Sequence, residues 1–205
     1  MTPRRFPSDF ELLLASQSPR RRELLSALGI PHRVVGSAAE EATVGREPAR
    51  MAEANALAKA REALVSHPPS ASPFVLGTDT VVVVAGEVLG KPGDVADARR
   101  MLKLLSGRSH EVISGVALLR GLERSAVGSA TTRVTFRSLE EADLDAYLAA
   151  GEWEGKAGAY AIQGIASLFV EGIEGEYANV VGLPVGLLAR LFRELGFDLL
   201  RACWL

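Results

Sequence analysis

Three consecutive arginines, Arg20, Arg21 and Arg22, follow Ser18 and Pro19 in the string SQSPRRR. Ser18 suits a helix N-cap and Pro19 the first helical position, so the guanidinium groups would crowd the positive end of the helix macrodipole. Acidic residues there would stabilise the helix by about 0.3–1 kcal/mol each, and arginines work against it. A sequence that breaks a local rule often does so for function. Helix N-terminal amides together with guanidinium groups suit a phosphate, with a solvated charged turn as the plain alternative.

Asp79 is the second unusual placement, because it lies inside the apolar run 74–85 between Thr78 and Thr80. An ionised carboxylate is costly to bury there without a partner, so it reads as a metal ligand, a general base, or a turn residue at a break in the strand. Lys91 offers a point charge to a phosphate, or is a surface lysine. It is no P-loop lysine: three residues separate Gly86 from Gly90, and Pro92 supplies neither hydroxyl nor N–H. Lys59, with Asn55 one turn earlier on the same helix face, and the loop residues Glu40 and Glu41 read by themselves as ordinary solvated residues. His32, His67 and His110 lack metal-ligand spacing and no Ser/His/Asp or Cys/His constellation stands out, so zinc is not expected.

The elements that must position these groups follow from apolar periodicity and its punctuation. A short buried strand at 12–15 passes through Ser16 and Gln17 into a helix that stops at Gly29; Pro48 opens an Ala-rich helix to about Val65. The run 74–85 predicts a strand interrupted at Gly77–Thr80, then a turn at Gly86 and Glu87 into Val88 and Leu89. Asp94 caps a helix to Leu105, and strands follow at 111–119 and 131–136. Ser138 and Glu141 form a capping box for a helix to Ala150. A glycine-rich loop, a strand near 168–170 and a helix from about Pro184 complete an α/β chain with a mixed sheet.

Composition bounds the partners. The chain has 205 residues, 48% of them hydrophobic, which suits one domain or one two-lobed unit. With 23 basic and 25 acidic side chains the net charge is −2, which opposes nucleic-acid binding. The single cysteine, Cys203, excludes an internal disulfide and a multi-cysteine zinc site. No apolar run reaches the roughly 18 residues of a membrane span, and residues 1–10 are too polar for a secretory leader. A soluble, cytoplasmic protein with no membrane partner is expected.

Five motifs then occur in order: ASQSPRRRELL (15–25), GTDTVV (77–82), LGKP (89–92), LSGRSHEV (105–112) and KAGAYAIQG (156–164). Together they resemble the Maf family of septum-formation-inhibitor-like nucleoside triphosphate pyrophosphatases, from Leu12 to about Phe192. The resemblance implies a two-lobed α/β fold with an elongated mixed sheet flanked by helices and a central cleft. It implies an N-terminal extension at 1–10, a single domain at 11–200, and a homodimer. The reaction implied is hydrolysis of nucleoside triphosphates to the monophosphate and pyrophosphate with a divalent cation such as Mg²⁺ or Mn²⁺, with roles in nucleotide sanitation and septum regulation.

The family's polar set falls here on Ser16, Arg20, Arg21, Glu41, Lys59, Asp79, Lys91 and Gln163. By that resemblance Asp79, Lys91 and Glu41 are catalytic, Asp79 and Glu41 hold the cation, and Ser16, Arg20, Arg21, Lys59 and Gln163 bind substrate. KAGAYAIQG looks like the dTTP/UTP-preferring branch rather than those acting on 7-methyl-GTP or CTP. The chain departs from the family pattern at Gly155, where Asp commonly stands, and at Ala161, where Gly does. The Gln163 carboxamide both donates and accepts, as the edge of thymine or uracil requires, and the flipped amide suits cytosine. The rival reading is a non-catalytic nucleotide-binding division regulator, against which a carboxylate beside a polyanion argues.

Overall fold

A computed structural model describes residues 5–39, 47–67 and 74–205, and Glu41 lies outside them. The chain forms β1 (Leu12–Leu14), α1 (Pro19–Ala27), β2 (Arg33–Val34), α2 (Pro48–Ser66), β3 (Phe74–Val84), β4 (Glu87–Leu89), α3 (Val95–Leu105), β5 (Ser109–Arg120) and β6 (Arg124–Phe136). It continues through α4 (Glu141–Ala149), 3₁₀ turns at Ala157–Ala159 and Ile165–Phe169, β7 (Val170–Glu174), α5 (Tyr177–Val181), α6 (Val185–Glu194), β8 (Phe197–Asp198) and β9 (Cys203–Trp204). This is the mixed α/β class that the sequence predicts. No helix among the described residues is long and apolar enough to cross a membrane.

Two compact units share the chain: Met1–Asp79, Ser114–Ala130 and Gly182–Leu205 form the first, and Thr80–Ile113 and Thr131–Val181 the second. In the first, the strand order is β2-β1-β3-β5-β6, with β1 parallel to both β2 and β3. Alternation along β1 divides its side chains between two layers. Leu12 and Leu14 join Phe10, Phe74, Phe192 and Phe197 in one cluster, whereas Leu13 and Ala15 pack with Val75 and the alanines Ala56, Ala60 and Ala63 of α2 in another. Cover on both faces explains why these strands read as unbroken apolar runs.

In the second unit the order is β4-β3-β5-β6-β7, with β4 and β7 antiparallel to their neighbours. Helix α3 buries Ala98, Met101, Leu102 and Leu105, and its N-terminus is capped by Asp94, which accepts from the Asp97 amide at 2.8 Å.

Several local expectations are corrected. Strand β3 is continuous through Gly77–Thr80, because Gly77 accommodates a helix and Asp79 has buried partners. Strand β6 begins at Arg124, well before 131; its first half is rich in small residues and carries little alternation. Ser18 precedes α1 without a side-chain capping bond. Helix α4 is entered through Glu140 rather than Ser138, since Asp143 accepts from the Glu140 amide at 3.0 Å and is gripped by Arg137 at 2.7 and 3.1 Å. That grip holds the Asp143 carboxyl down at about 2. Strand β7 runs to Glu174, past the expected 168–170, and α5, β8 and β9 left no clear pattern in the sequence.

Candidate functional site

Asp79 closes the first unit's part of β3, and only 6% of the residue is exposed. What surrounds it is set by α2. A Cβ on Gly77 would meet the Ala56 carbonyl oxygen at 2.0 Å, and one on Gly115 would meet Ala52 backbone atoms at 2.2–2.3 Å. Helix and sheet therefore touch backbone to backbone, which only glycine at those strand positions permits. The helix contributes a stripe of fully buried small residues, Ala52, Ala56, Ala60 and Ala63.

Seated so closely, α2 delivers two polar side chains one turn apart to Asp79. Lys59 Nζ donates to Asp79 Oδ1 at 2.7 Å and to the Thr78 carbonyl oxygen at 3.4 Å, and Asn55 Nδ2 donates to Asp79 Oδ2 at 2.9 Å. The ion pair is largely withdrawn from water, with side chains 12% and 9% exposed. Asn55 itself is 4% exposed, which corrects the reading of Asn55 and Lys59 as solvated residues. Asn55 is the residue that sequence reasoning missed as a partner of Asp79. Its one signal is a polar amide four residues before Lys59 on a face otherwise made of alanine.

The arginine-rich turn lies on the parallel pair β1 and β3. Leu14 is in register with Leu76, so the chain leaves β1 through Ser16 while β3 runs on through Thr78 to Asp79. In open α/β sheets, ligands bind outside the carboxyl ends of parallel strands. Ser16 is buried, and its Oγ accepts from Arg21 Nη1 at 2.9 Å and from the Ser18 amide at 3.3 Å. Arg21 Nε also donates to the Gly182 carbonyl oxygen at 2.8 Å. Arg20 and Arg21 are half-buried in the first turn of α1, and Arg22 is exposed. Arg21 thus braces the turn as well as charging it, a structural part that the dipole argument alone does not foresee.

Lys91 and Gln163 belong to the second unit, and both are exposed. The Gly158 amide donates to the Gly90 carbonyl oxygen at 3.0 Å, tying the loop that leads to Gln163 to the residue preceding Lys91. Gly158 has φ +68°, and a Cβ there would meet Val82 at 2.9 Å, so the turn needs glycine for both conformation and space. The next residue, Ala159, is also left-handed at φ +60°. Tyr160 Oη lies 2.9 Å from His110 Nε2, both residues being buried, and burial pushes the His110 ring down to about 4. The motifs LGKP, LSGRSHEV and KAGAYAIQG are therefore joined in this unit by backbone and side-chain contacts.

Among the described residues, no group of three or more His, Cys, Asp and Glu is arranged to hold a metal. Asp79 still offers hard oxygen donors, because a carboxylate has about four lone-pair positions and two face Lys59 and Asn55. A Mg²⁺ ion is usually held by one or two carboxylates plus substrate phosphates, so this donor set fits a cation that arrives with a polyphosphate.

Residues 11–195 match the profile of a family described as "Maf-like protein". A protein of Anaeromyxobacter sp. named dTTP/UTP pyrophosphatase is 48% identical over 93% of this chain and 92% of its own. One of the same name from Thermococcus gammatolerans is 50% identical over 92% of this chain and 98% of its own. Among solved structures, a HAM1 protein from Coxiella burnetii is 19% identical over 62% of this chain and 73% of its own, with a TM-score of 0.45.

Proposed function

The chain belongs to the family of Maf-like proteins, and on that premise we propose that it hydrolyses dTTP and UTP to the nucleoside monophosphate and pyrophosphate. The observation that carries this reading is the buried Asp79, held by Lys59 and Asn55 in the same unit as the Ser16–Arg21 turn. Relatives about half identical over more than nine tenths of the chain bear the corresponding name.

A nucleoside triphosphate carries about four negative charges, which repel any nucleophile approaching phosphorus. Ser16, Arg20, Arg21 and the first amides of α1 are assigned to the phosphates, and Lys91 adds a point charge. Asp79 is assigned to the divalent cation, Mg²⁺ or Mn²⁺, with Glu41 as the second carboxylate. When bound, that cation neutralises phosphate charge and acts as a Lewis acid. Lys59 and Asn55 keep the Asp79 carboxylate in one orientation, so little reorganisation is needed during reaction. Water adds to the α-phosphorus and gives up a proton to a carboxylate, assigned to Asp79 or Glu41, the bond from that phosphorus to the α–β bridging oxygen breaks, and pyrophosphate leaves with the electron pair. Gln163 reads the pyrimidine edge. A homodimer in the cytoplasm completes the reading, and sedimentation velocity tests the dimer.

The test uses purified protein, each common nucleoside triphosphate, Mg²⁺ or Mn²⁺, and water labelled with ¹⁸O. The expected products are labelled dTMP or UMP with unlabelled pyrophosphate, formed faster than from dATP or dGTP. Orthophosphate appearing first, or label in the pyrophosphate, would overturn the bond assignment. Tight binding of dTTP without turnover under all metal conditions would favour a nucleotide-binding regulator.

A further inference from the structure

Gln163 is exposed and makes no hydrogen bond among the described residues, yet the backbone beneath it is pinned on both sides. Two residues earlier, the Ala161 amide donates to Tyr147 Oη at 3.3 Å, and Tyr147 is 1% exposed on α4. Two residues later, the Ile165 amide donates to Glu152 Oε2 at 2.9 Å, and the Ala166 amide donates to Oε1 at 3.2 Å. Glu152 stands just after α4, following Gly151, which reverses the chain at φ +71°. Its carboxylate lies so close to the strand of chain beside Gln163 that a Cβ on Gly164 would fall 1.7 Å from Oε2.

Both oxygens of one carboxylate therefore take consecutive backbone N–H groups directly downstream of Gln163. Such bonds are charge-assisted, stronger than those between neutral partners, and they fix two peptide planes at once. A side chain that must present a donor and an acceptor to a base loses selectivity when its own backbone drifts, and a displacement near 1 Å can cost on the order of a hundredfold in rate. The sequence shows Glu152 only as one acid in the turn GEWEG, and the family resemblance assigned it no role.

We propose that Glu152 is a positioning residue for base selection: by clamping residues 165 and 166 it orients Gln163, and so sets the preference for pyrimidine over purine triphosphates. This rests on the reading of Gln163 as the group that meets the base. The merely structural alternative is a carboxylate that caps the turn Ile165–Phe169 and affects stability alone.

The experiment measures kcat/KM for dTTP, UTP and dGTP with full-length wild type, Glu152→Ala, Glu152→Gln, Gly164→Ala, Gln163→Ala and the Glu152→Ala/Gln163→Ala pair, each checked by thermal melting. The expected result is a roughly tenfold compression of the dTTP:dGTP ratio in Glu152→Ala. Glu152→Gln should recover part of it, because its one carbonyl oxygen can accept from one of the two amides. Gly164→Ala should reproduce the compression with Glu152 intact, since its methyl group and the carboxylate cannot occupy the same place. In the double variant the two effects should be less than additive, as for residues acting through one another. If Gln163→Ala changes the ratio and neither Glu152→Ala nor Gly164→Ala does, the proposal is overturned while base reading stands. If Gln163→Ala leaves the ratio unchanged, base reading itself fails and takes the proposal with it. Should Glu152→Ala not fold, Glu152→Gln and Gly164→Ala decide by the same ratios.

Discussion

Asp79 and Lys59 form an ion pair at 2.7 Å, with both side chains largely withdrawn from water. Asp79→Asn should therefore do two separable things. Turnover should fall to near background, and stability should drop by roughly 1–3 kcal/mol because Lys59 loses its carboxylate partner at 2.7 Å. Adding Lys59→Met should return most of the stability and none of the activity, as read by urea unfolding and a pyrophosphate assay; an active Asp79→Asn protein would remove Asp79 from the chemistry. Asn55→Ala should cost about 1–3 kcal/mol, since Asp79 Oδ2 loses its buried donor, and should lower kcat more than it raises KM. Stability lost at unchanged kcat would make Asn55 a core residue only. Arg21→Ala should lose stability as well as phosphate affinity, because its guanidinium holds Gly182 and Ser16 besides charging the helix terminus.

At the scale of elements, the docking of α2 on β3 is the step that assembles the Asp79 site. Gly77→Ala would place a methyl group 2.0 Å from backbone at Ala56, which cannot swing aside as a side chain can. The helix must move, so the variant should lose several kcal/mol and most activity, roughly the upper end of overpacking effects. A Gly77→Ala protein with wild-type melting temperature would contradict the backbone-to-backbone contact. A second element-scale test uses His110, which links β5 to the loop through Tyr160. Its folded pKa of about 4 lies below the unfolded value near 6.5. The contribution is fully present above about pH 6.5 and is lost as pH falls toward 4, where the unfolded chain binds the extra proton. The loss is on the order of 3 kcal/mol. Urea unfolding of wild type between pH 4 and 7 should show this dependence, and His110→Asn should flatten it. An equal slope in both proteins would place the titration elsewhere.

For the whole molecule, a net charge of −2 leaves no long-range attraction for a polyanionic lattice, however basic the turn at Arg20–Arg22 is locally. Duplex DNA should not compete with dTTP at physiological salt. Pyrophosphate, which carries the chemistry of the proposed phosphate site, should stabilise the fold by mass action, by about 2.7 kcal/mol at a hundred times its Kd, and so raise the melting temperature. That shift should shrink in Arg20→Ala. Competition by DNA, or a shift unchanged in the variant, would place the anion site elsewhere.

Much of this protein is legible along the chain, because helix starts, glycine stops, apolar runs and ordered motifs are local signals. The α/β class, the strand before the arginine turn, the long Ala-rich helix, and the unusual placement of Asp79 inside an apolar strand all follow from such signals. Other features are decided by contacts between distant residues. Asn55 and Asp79 stand 24 positions apart, and their meeting depends on glycines at 77 and 115 that let a helix reach the sheet. Glu152 and the amides at 165 and 166 meet across a turn whose residues carry no periodicity. By itself the sequence determined which side chains are chemically out of place and which elements carry them. Only the tertiary structure decided which neighbours hold those side chains, since a buried polar group is satisfied by whatever the packing of whole elements brings within hydrogen-bond reach.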